Sequence, residues 1–296
     1  MVATYQGEQD RYDGIRSNRI AGLSQHCTQV FNCSFGSPRF EQLVESQTHW
    51  DALCHHAADV TDYRSPDFDI SRALAANTLN MAKVVESLAQ KSCQCLVLTG
   101  SVFEGGEGAG SDDLPAFSSY GVSKALTATV ANYHAETIGL RFGKFIIPNP
   151  FGPLEEPRFT AYLVNTWAKG EVASVNTPDY IRDNIHVSLL AAAYAHFVEG
   201  LSTGTGTSHL NPSGYVESQG QFAERFAANL RERTGSKCQL NLVTPQAMFD
   251  EPRIRINTDP AQQIVADWSE SSAWDEIAEY YASALRAAPR KGQSHE

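Results

Sequence analysis

Short apolar runs alternate along this chain with longer stretches whose apolar residues recur at helical spacing. Residues 2–5 combine β-branched and small side chains and break at Gln6-Gly7, which predicts a short strand ending in a turn. After a polar stretch at 8–25, a second strand is predicted at 28–35 and a third at 51–58. The third ends in Ala57 and Ala58, small residues that let another group approach the backbone closely. Apolar positions from Leu74 to Leu88 give residues 72–90 the period of a helix, and an apolar run at 95–98 leads as a strand into Thr99-Gly100-Ser101. Residues 118–140 repeat the helical pattern, and 142–148 read as a strand stopped by Pro148 and Pro150. Beyond Pro153, helices are predicted at 160–169, 189–199, 218–233 and 273–285, a strand at 185–187 and a Gly/Ser/Thr loop at 200–208.

Strands buried on both sides and alternating with helices call for an α/β fold with a parallel sheet. With 296 residues and 42% hydrophobic content the chain can bury a full core. Lys plus Arg number 23 against 34 Asp plus Glu, a net charge of −11 with no local basic cluster. That balance disfavours nucleic acid and anionic membrane as partners. No run of eighteen apolar residues and no leader-like start is present, so neither a membrane span nor an export signal is expected. The six cysteines lack metal-type spacing, Cys93-Gln-Cys95 being too tight, and read as free thiols in a reducing cytoplasm with no metal.

Tyr120-Gly-Val-Ser-Lys124 carries the sharpest chemical signal, because residues four apart share one helix face. A phenol is a poor base at its ordinary pKa of about 10, and a neighbouring ammonium brings it toward the working pH. An amphipathic helix also produces such a pair by chance. What distinguishes this one is the strand about twenty residues upstream, ending in the hydroxyls of Thr99 and Ser101.

Further motifs follow in order: Asp51 to Ala58 fits D-x-x-x-H-x-A-A, Asn149-Pro-Phe-Gly-Pro153 fits N-x-Y-G-P, and Arg182-Asp-Asn-Ile-His-Val187 fits R-D-x-[VI]-H-V. In these motifs the chain resembles the extended short-chain dehydrogenase/reductase family, of the NAD-dependent epimerase/dehydratase type that modifies nucleotide-sugars. The resemblance implies a Rossmann-like doubly wound sheet over residues 1–153, which bind a dinucleotide. It also implies a smaller C-terminal α/β substrate lobe over 154–286, with about 183–200 returning to the sheet and a flexible tail at 287–296. It makes Tyr120 the general acid/base and Lys124 its tuner and a ligand of the nicotinamide ribose. The third catalytic hydroxyl is Thr99 if Val102-Phe103 sets the alignment, or Ser101 if the count runs ungapped from the preceding helix.

Gln6, His55, Ala57, Ala58 and Pro148 fall at cofactor positions, and Asn149, Arg158 and Arg182 at substrate positions. His55 and His56 otherwise read as structural residues of the strand, and Arg182 otherwise as a surface partner of an acid such as Asp183. The glycine runs at 105–110 and 200–207 read as plain surface loops, since neither follows a strand and opens a helix. The implied ligands are NAD or NADP, with NAD preferred, and a nucleotide-sugar-like small molecule; a homodimer through 72–90 and 118–140 is expected.

One departure is large: the family's opening strand, G-x-x-G-x-x-G loop and helix have no counterpart, and residues 2–5 resemble the family's second strand. Loss of that central strand is expected to leave a gap in the sheet. Met1 is therefore expected to be a misplaced start, with a longer natural chain supplying the unit; the competing expectation is a degenerate paralogue without cofactor. A 4,6-dehydratase is disfavoured, because Gly100 and Ser101 stand where that branch carries an Asp-Glu pair. The expected activity is an epimerase, reductase or dehydrogenase.

Overall fold

A computed structural model describes residues 1–110, 114–243 and 252–286, so the expectation for 287–296 falls outside the described residues. In chain order the first elements are β1 (Val2–Thr4), α1 (Gly14–Leu23), β2 (Thr28–Val30), α2 (Pro38–Ser46), β3 (Ala52–His55), α3 (Ile70–Asn77), α4 (Met81–Gln90), β4 (Cys95–Ser101), α5 (Ser119–Thr137) and β5 (Arg141–Ile147). There follow β6 (Asn149–Phe151), α6 (Phe159–Ala168), β7 (Ala173–Val175), β8 (Ile181–His186), α7 (Val187–Thr203), β9 (His209–Leu210), β10 (Pro212–Ser213), β11 (Tyr215–Ser218) and α8 (Gln219–Thr234). The chain closes with β12 (Leu240–Leu242), β13 (Ile254–Arg255), β14 (Asp259–Pro260), α9 (Ala261–Ile264) and α10 (Glu270–Arg286). The described residues fall into two compact units, one drawn from 1–108, 112–147 and 194–212, the other from 109–111, 148–193 and 213–296.

In the first unit β3, β4, β5 and β9 form one sheet in that order, every pair parallel, with Cys95 opposite both Ala52 and Arg141. Parallel neighbours need a crossover, and the helices between these strands supply it. Side chains alternate across the sheet. Leu96 joins Ala131 and Ala135 of α5 in a core with Val84, Val85 and Leu88 of α4. On the opposite face Phe145 meets Tyr194 and Phe197 of α7, with ring centroids 4.9 and 5.6 Å apart. This is the Rossmann-like α/β arrangement the motifs implied.

The remaining parallel pair, β1 with β2, stands apart: among the described residues no ladder joins it to β3, β4, β5 or β9. Both pieces nevertheless cover the same helical layer, because Cys33 and Phe35, just past β2, share a core with Leu96 and have Leu53 packed against them. Among the described residues the strands of the first unit thus fall into two separate ladders.

Two local differences have clear causes. The helix expected over 72–90 breaks between α3 and α4, where Asn80 takes a left-handed backbone (φ 51°) and its Nδ2 donates to the Gly36 carbonyl at 2.9 Å. The polar stretch after β1 contains α1, with only Ile20 buried. In the second unit β8 pairs with β11 antiparallel and with β6 and β13 parallel. Helices α6, α8 and α10 pack there around Phe151, Trp167, Phe222, Phe226 and Trp274. Ser218 and Gln221 start α8 with reciprocal hydrogen bonds, a capping box.

Candidate active site

Helix α5 begins with Ser118, whose hydroxyl accepts the Gly121 amide at 3.2 Å. Gly121 is required by crowding: a Cβ there would stand 2.1 Å from the Phe103 carbonyl oxygen. The helix start therefore lies directly against the turn that follows β4, which places Tyr120 and Lys124 beside the carboxyl end of that strand. Lys124 is buried, and its ammonium donates to the Thr99 carbonyl at 2.5 Å. Burial pulls its pKa down to about 8, with Glu104 opposing that shift and Lys144 reinforcing it. Tyr120 is half-buried, its ring edge-on to Tyr63 and Phe68 at 5.5 and 6.1 Å.

The Thr99 hydroxyl meets His56 Nδ1 at 2.6 Å, and the His56 ring lies 4.9 Å from that of Tyr194 on α7. By strand alternation this is the α7 side of β4, whereas Lys124 approaches the Thr99 carbonyl from α5. The Ser101 hydroxyl accepts the Phe103 amide at 3.2 Å, inside the turn. His55 is buried, with Nε2 2.9 Å from the Asn77 carbonyl, and burial pushes its pKa down to about 4. Asn77 in turn accepts the Asp59 amide at 2.8 Å and donates to Thr127 of α5 at 3.2 Å, fixing the segment that contains half-buried Ala58 and exposed Ala57. Gln6 is exposed just past β1.

The other candidates lie in the second unit. Pro148 is buried, and Asn149 donates to the Asp183 carbonyl at 3.1 Å. Arg158 is exposed at the start of α6. Arg182 donates to the carbonyls of Ile181 and Arg253 at 2.9 and 3.1 Å, its guanidinium 5.0 Å above the Tyr180 ring. The Asp183 carboxylate accepts the amides of Gly214 and Asn257 at 2.8 and 3.1 Å, and burial still raises its pKa to about 6.

Four residues escaped the sequence reading: Glu104, Glu107, Lys144 and His209. Lys144 Nζ lies 2.7 Å from Glu104 and is also ion-paired with Glu107, whose other oxygen is 3.0 Å from His209 Nε2. Lysine in an otherwise apolar strand was the one available signal. Among the described residues no group of three or more His, Cys, Asp or Glu is gathered for a metal, and no helix is long and apolar enough to cross a membrane.

The model of the NAD dependent epimerase/dehydratase family matches residues 15–211. The chain belongs to that family. No curated protein matches this family member at the sequence level. Among solved structures, UDP-glucose 4-epimerase of Thermotoga maritima with UDP-glucose is similar at a TM-score of 0.67 and 16% identity, covering 96% of this chain and 100% of that one. UDP-glucose-4-epimerase of Stenotrophomonas maltophila, with NAD and a formylated UDP-arabinopyranose, is similar at 0.68 and 16%, covering 97% and 99%. UDP-glucuronic acid 4-epimerase of Bacillus cereus with UDP-glucuronic acid and NAD is similar at 0.66 and 14%, covering 95% and 90%.

The family's dinucleotide suits this member in part. Buried Lys124 and half-buried Tyr120 one turn before it offer an ammonium and a phenol that a ribose could meet, and the small residues after β3 let another group approach the backbone. For the diphosphate, the sequence holds no strand, G-x-x-G-x-x-G loop and helix in succession.

Proposed function

We propose that the chain is an NAD(P)-dependent epimerase, reductase or dehydrogenase of nucleotide-activated sugars, with Tyr120 as general acid/base. The observation that carries this reading is the Lys124 ammonium held on the Thr99 carbonyl at the carboxyl end of β4, one helical turn from the phenol of Tyr120. NAD, favoured over NADP, would supply the hydride acceptor. Tyr120 takes the proton of a sugar hydroxyl or returns it, and Lys124 favours the phenolate by its charge. Thr99 or Ser101 binds the reacting oxygen. Gln6, His55, Ala57, Ala58 and Pro148 border the cofactor, while Asn149, Arg158 and Arg182 hold the substrate, the guanidinium of Arg182 suiting a diphosphate. The UDP-sugars in the similar structures make such compounds the first substrates to assay. A homodimer through the helices at 72–90 and 118–140 is consistent with Leu126 and Tyr133 of α5, 40% and 65% exposed. Six unpaired thiols are consistent with a reducing cytoplasm.

The test is titration of the chain with NAD, NADH, NADP and NADPH, read by nicotinamide fluorescence, followed by turnover of UDP-sugars. Tyr120→Phe should lower kcat by at least about a hundredfold with dinucleotide affinity nearly unchanged; a fully active Phe variant removes Tyr120 from the reaction. A second reading, a catalytically silent paralogue that keeps the fold as a binding protein, is favoured by the divided sheet. Blindness to all four dinucleotides would select it.

A further inference from the structure

The turn after β4 carries two buried carboxylates where the glycine run suggested plain surface. Glu104 is fully buried; its Oε1 accepts the Ser101 amide at 2.7 Å and its Oε2 lies 2.7 Å from Lys144 Nζ. Lys144 also pairs with Glu107, and Glu107 with His209, so the chain of charges runs from a wholly enclosed carboxylate out to a half-exposed imidazole. The inner pair lies over Gly100, since a Cβ there would stand 3.0 Å from Glu104 Oε1 and 3.1 Å from Lys144 Cε. The preceding residue, Thr99, gives its carbonyl to Lys124. Two lysine ammonium groups and one enclosed carboxylate thus meet along three consecutive residues of a single strand.

We propose that Lys144 is a positioning residue for Lys124: by holding the Glu104 carboxylate in an ion pair over Gly100, it prevents that carboxylate from becoming the full counter-ion of Lys124. The functional consequence rests on the reading of Lys124 as the tuner of Tyr120. An amine kept short of a full partner in a low-dielectric site gives up its proton more readily. With its pKa brought to about 8, Lys124 remains mostly an ammonium at neutral pH and so still favours a phenolate by its charge, while releasing its proton more readily than a surface lysine. The charged and titratable groups coupled electrostatically to Lys124 are Glu104 from the turn, Lys144 from β5, His55 from β3 and His56 just beyond it, while Tyr120 lies one turn earlier on the same helix. His55 is desolvated by burial, and His56, though exposed overall, is desolvated around the ring that meets Thr99 and Tyr194. Both are held below the ordinary imidazole value, which leaves Glu104 and Lys144 as the charges that set Lys124 near pH 7. Burial works against the charge of Lys144 too, yet Glu104 and Glu107 together raise its pKa above the usual lysine value.

The experiment is a pH titration of the whole protein labelled with 13C at the lysine ε-carbons, read by 1H–13C NMR, with Lys124→Arg and Lys144→Met assigning the two buried signals by their loss. In the unsubstituted protein Lys124 should titrate near 8, well before the surface lysines, and Lys144 after them. Lys144→Met should move Lys124 upward by roughly half a pH unit or more, and Glu104→Gln should move it downward by a similar amount. His209→Gln should leave it in place. A Lys124 that titrates with the surface lysines in the unsubstituted protein overturns the proposal, even where a variant fails to fold, and so does a Lys124 unmoved in Lys144→Met. The titration needs neither cofactor nor substrate: an intact lysine split with no dinucleotide binding would sink the enzymatic reading alone, and the reverse result would sink only the role of Lys144.

Discussion

At the scale of single residues, burial decides which groups can carry charge. His55 is enclosed between the sheet and Asn77, so the folded protein resists protonating it until about pH 4, whereas the unfolded chain protonates it near 6.5. Because the folded value is the lower one, the stability contribution is complete above pH 6.5 and is lost as the pH falls from there toward 4. The loss from His55 alone reaches at most about 3 kcal/mol. Urea-unfolding midpoints measured from pH 7.5 to 4.5 should fall with acidity, and more shallowly in His55→Gln; identical slopes would refute the assignment. His186, buried and pushed to about 4, adds to the same trend and should leave part of it in that variant. The pair Tyr120 and Lys124 was legible in the sequence because four residues along a helix is a local relation. Glu104 and Lys144 were not, because their meeting requires β4 and β5 to be laid side by side first. The Thr99 hydroxyl illustrates the same limit, since the His56 that holds it belongs to another strand's end.

At the scale of elements, the long apolar strands β4 and β5 and the helix α5 were readable from pattern, and their boundaries agree within a few residues. Helices α1 and α2 were not, since the first buries a single side chain and the second begins at Pro38, capped by Ser37. The break between α3 and α4 depends on Gly36, which is distant in sequence: a Cβ there would lie 1.8 Å from the Leu79 carbonyl oxygen. Glycine plays a comparable part at the head of α5. Gly121→Ala forces that helix away from the Phe103 carbonyl, and the expected cost is about 1–3 kcal/mol, read as a lower Tm by calorimetry. Lys124 would lose its contact with Thr99 in the same movement, so the variant's lysine titration should shift toward the surface range. An unchanged Tm would mean that the turn yields instead of the helix.

At the scale of the whole molecule, each of the two units closes its own core, one layered on a parallel sheet and the other dominated by aromatic rings. The sequence indicated α/β alternation, because strand-sized apolar runs are countable. It could not indicate how β8 becomes the centre of a mixed sheet, since pairing partners on either side come from distant segments. Strand β4 is laddered on both sides, whereas β1 and β3 are each laddered on one. Native-state hydrogen exchange should therefore protect the amides of β4 by roughly tenfold or more over those of β3. Equal protection would imply that the free side of β3 is covered in solution.

The open flank of β3 also carries its own reporter. Cys54 is exposed there, while Cys33, Cys93, Cys95 and Cys238 are buried. The rate at which a thiol reagent alkylates Cys54 thus measures, without any introduced label, whether the space beside that strand is empty or filled.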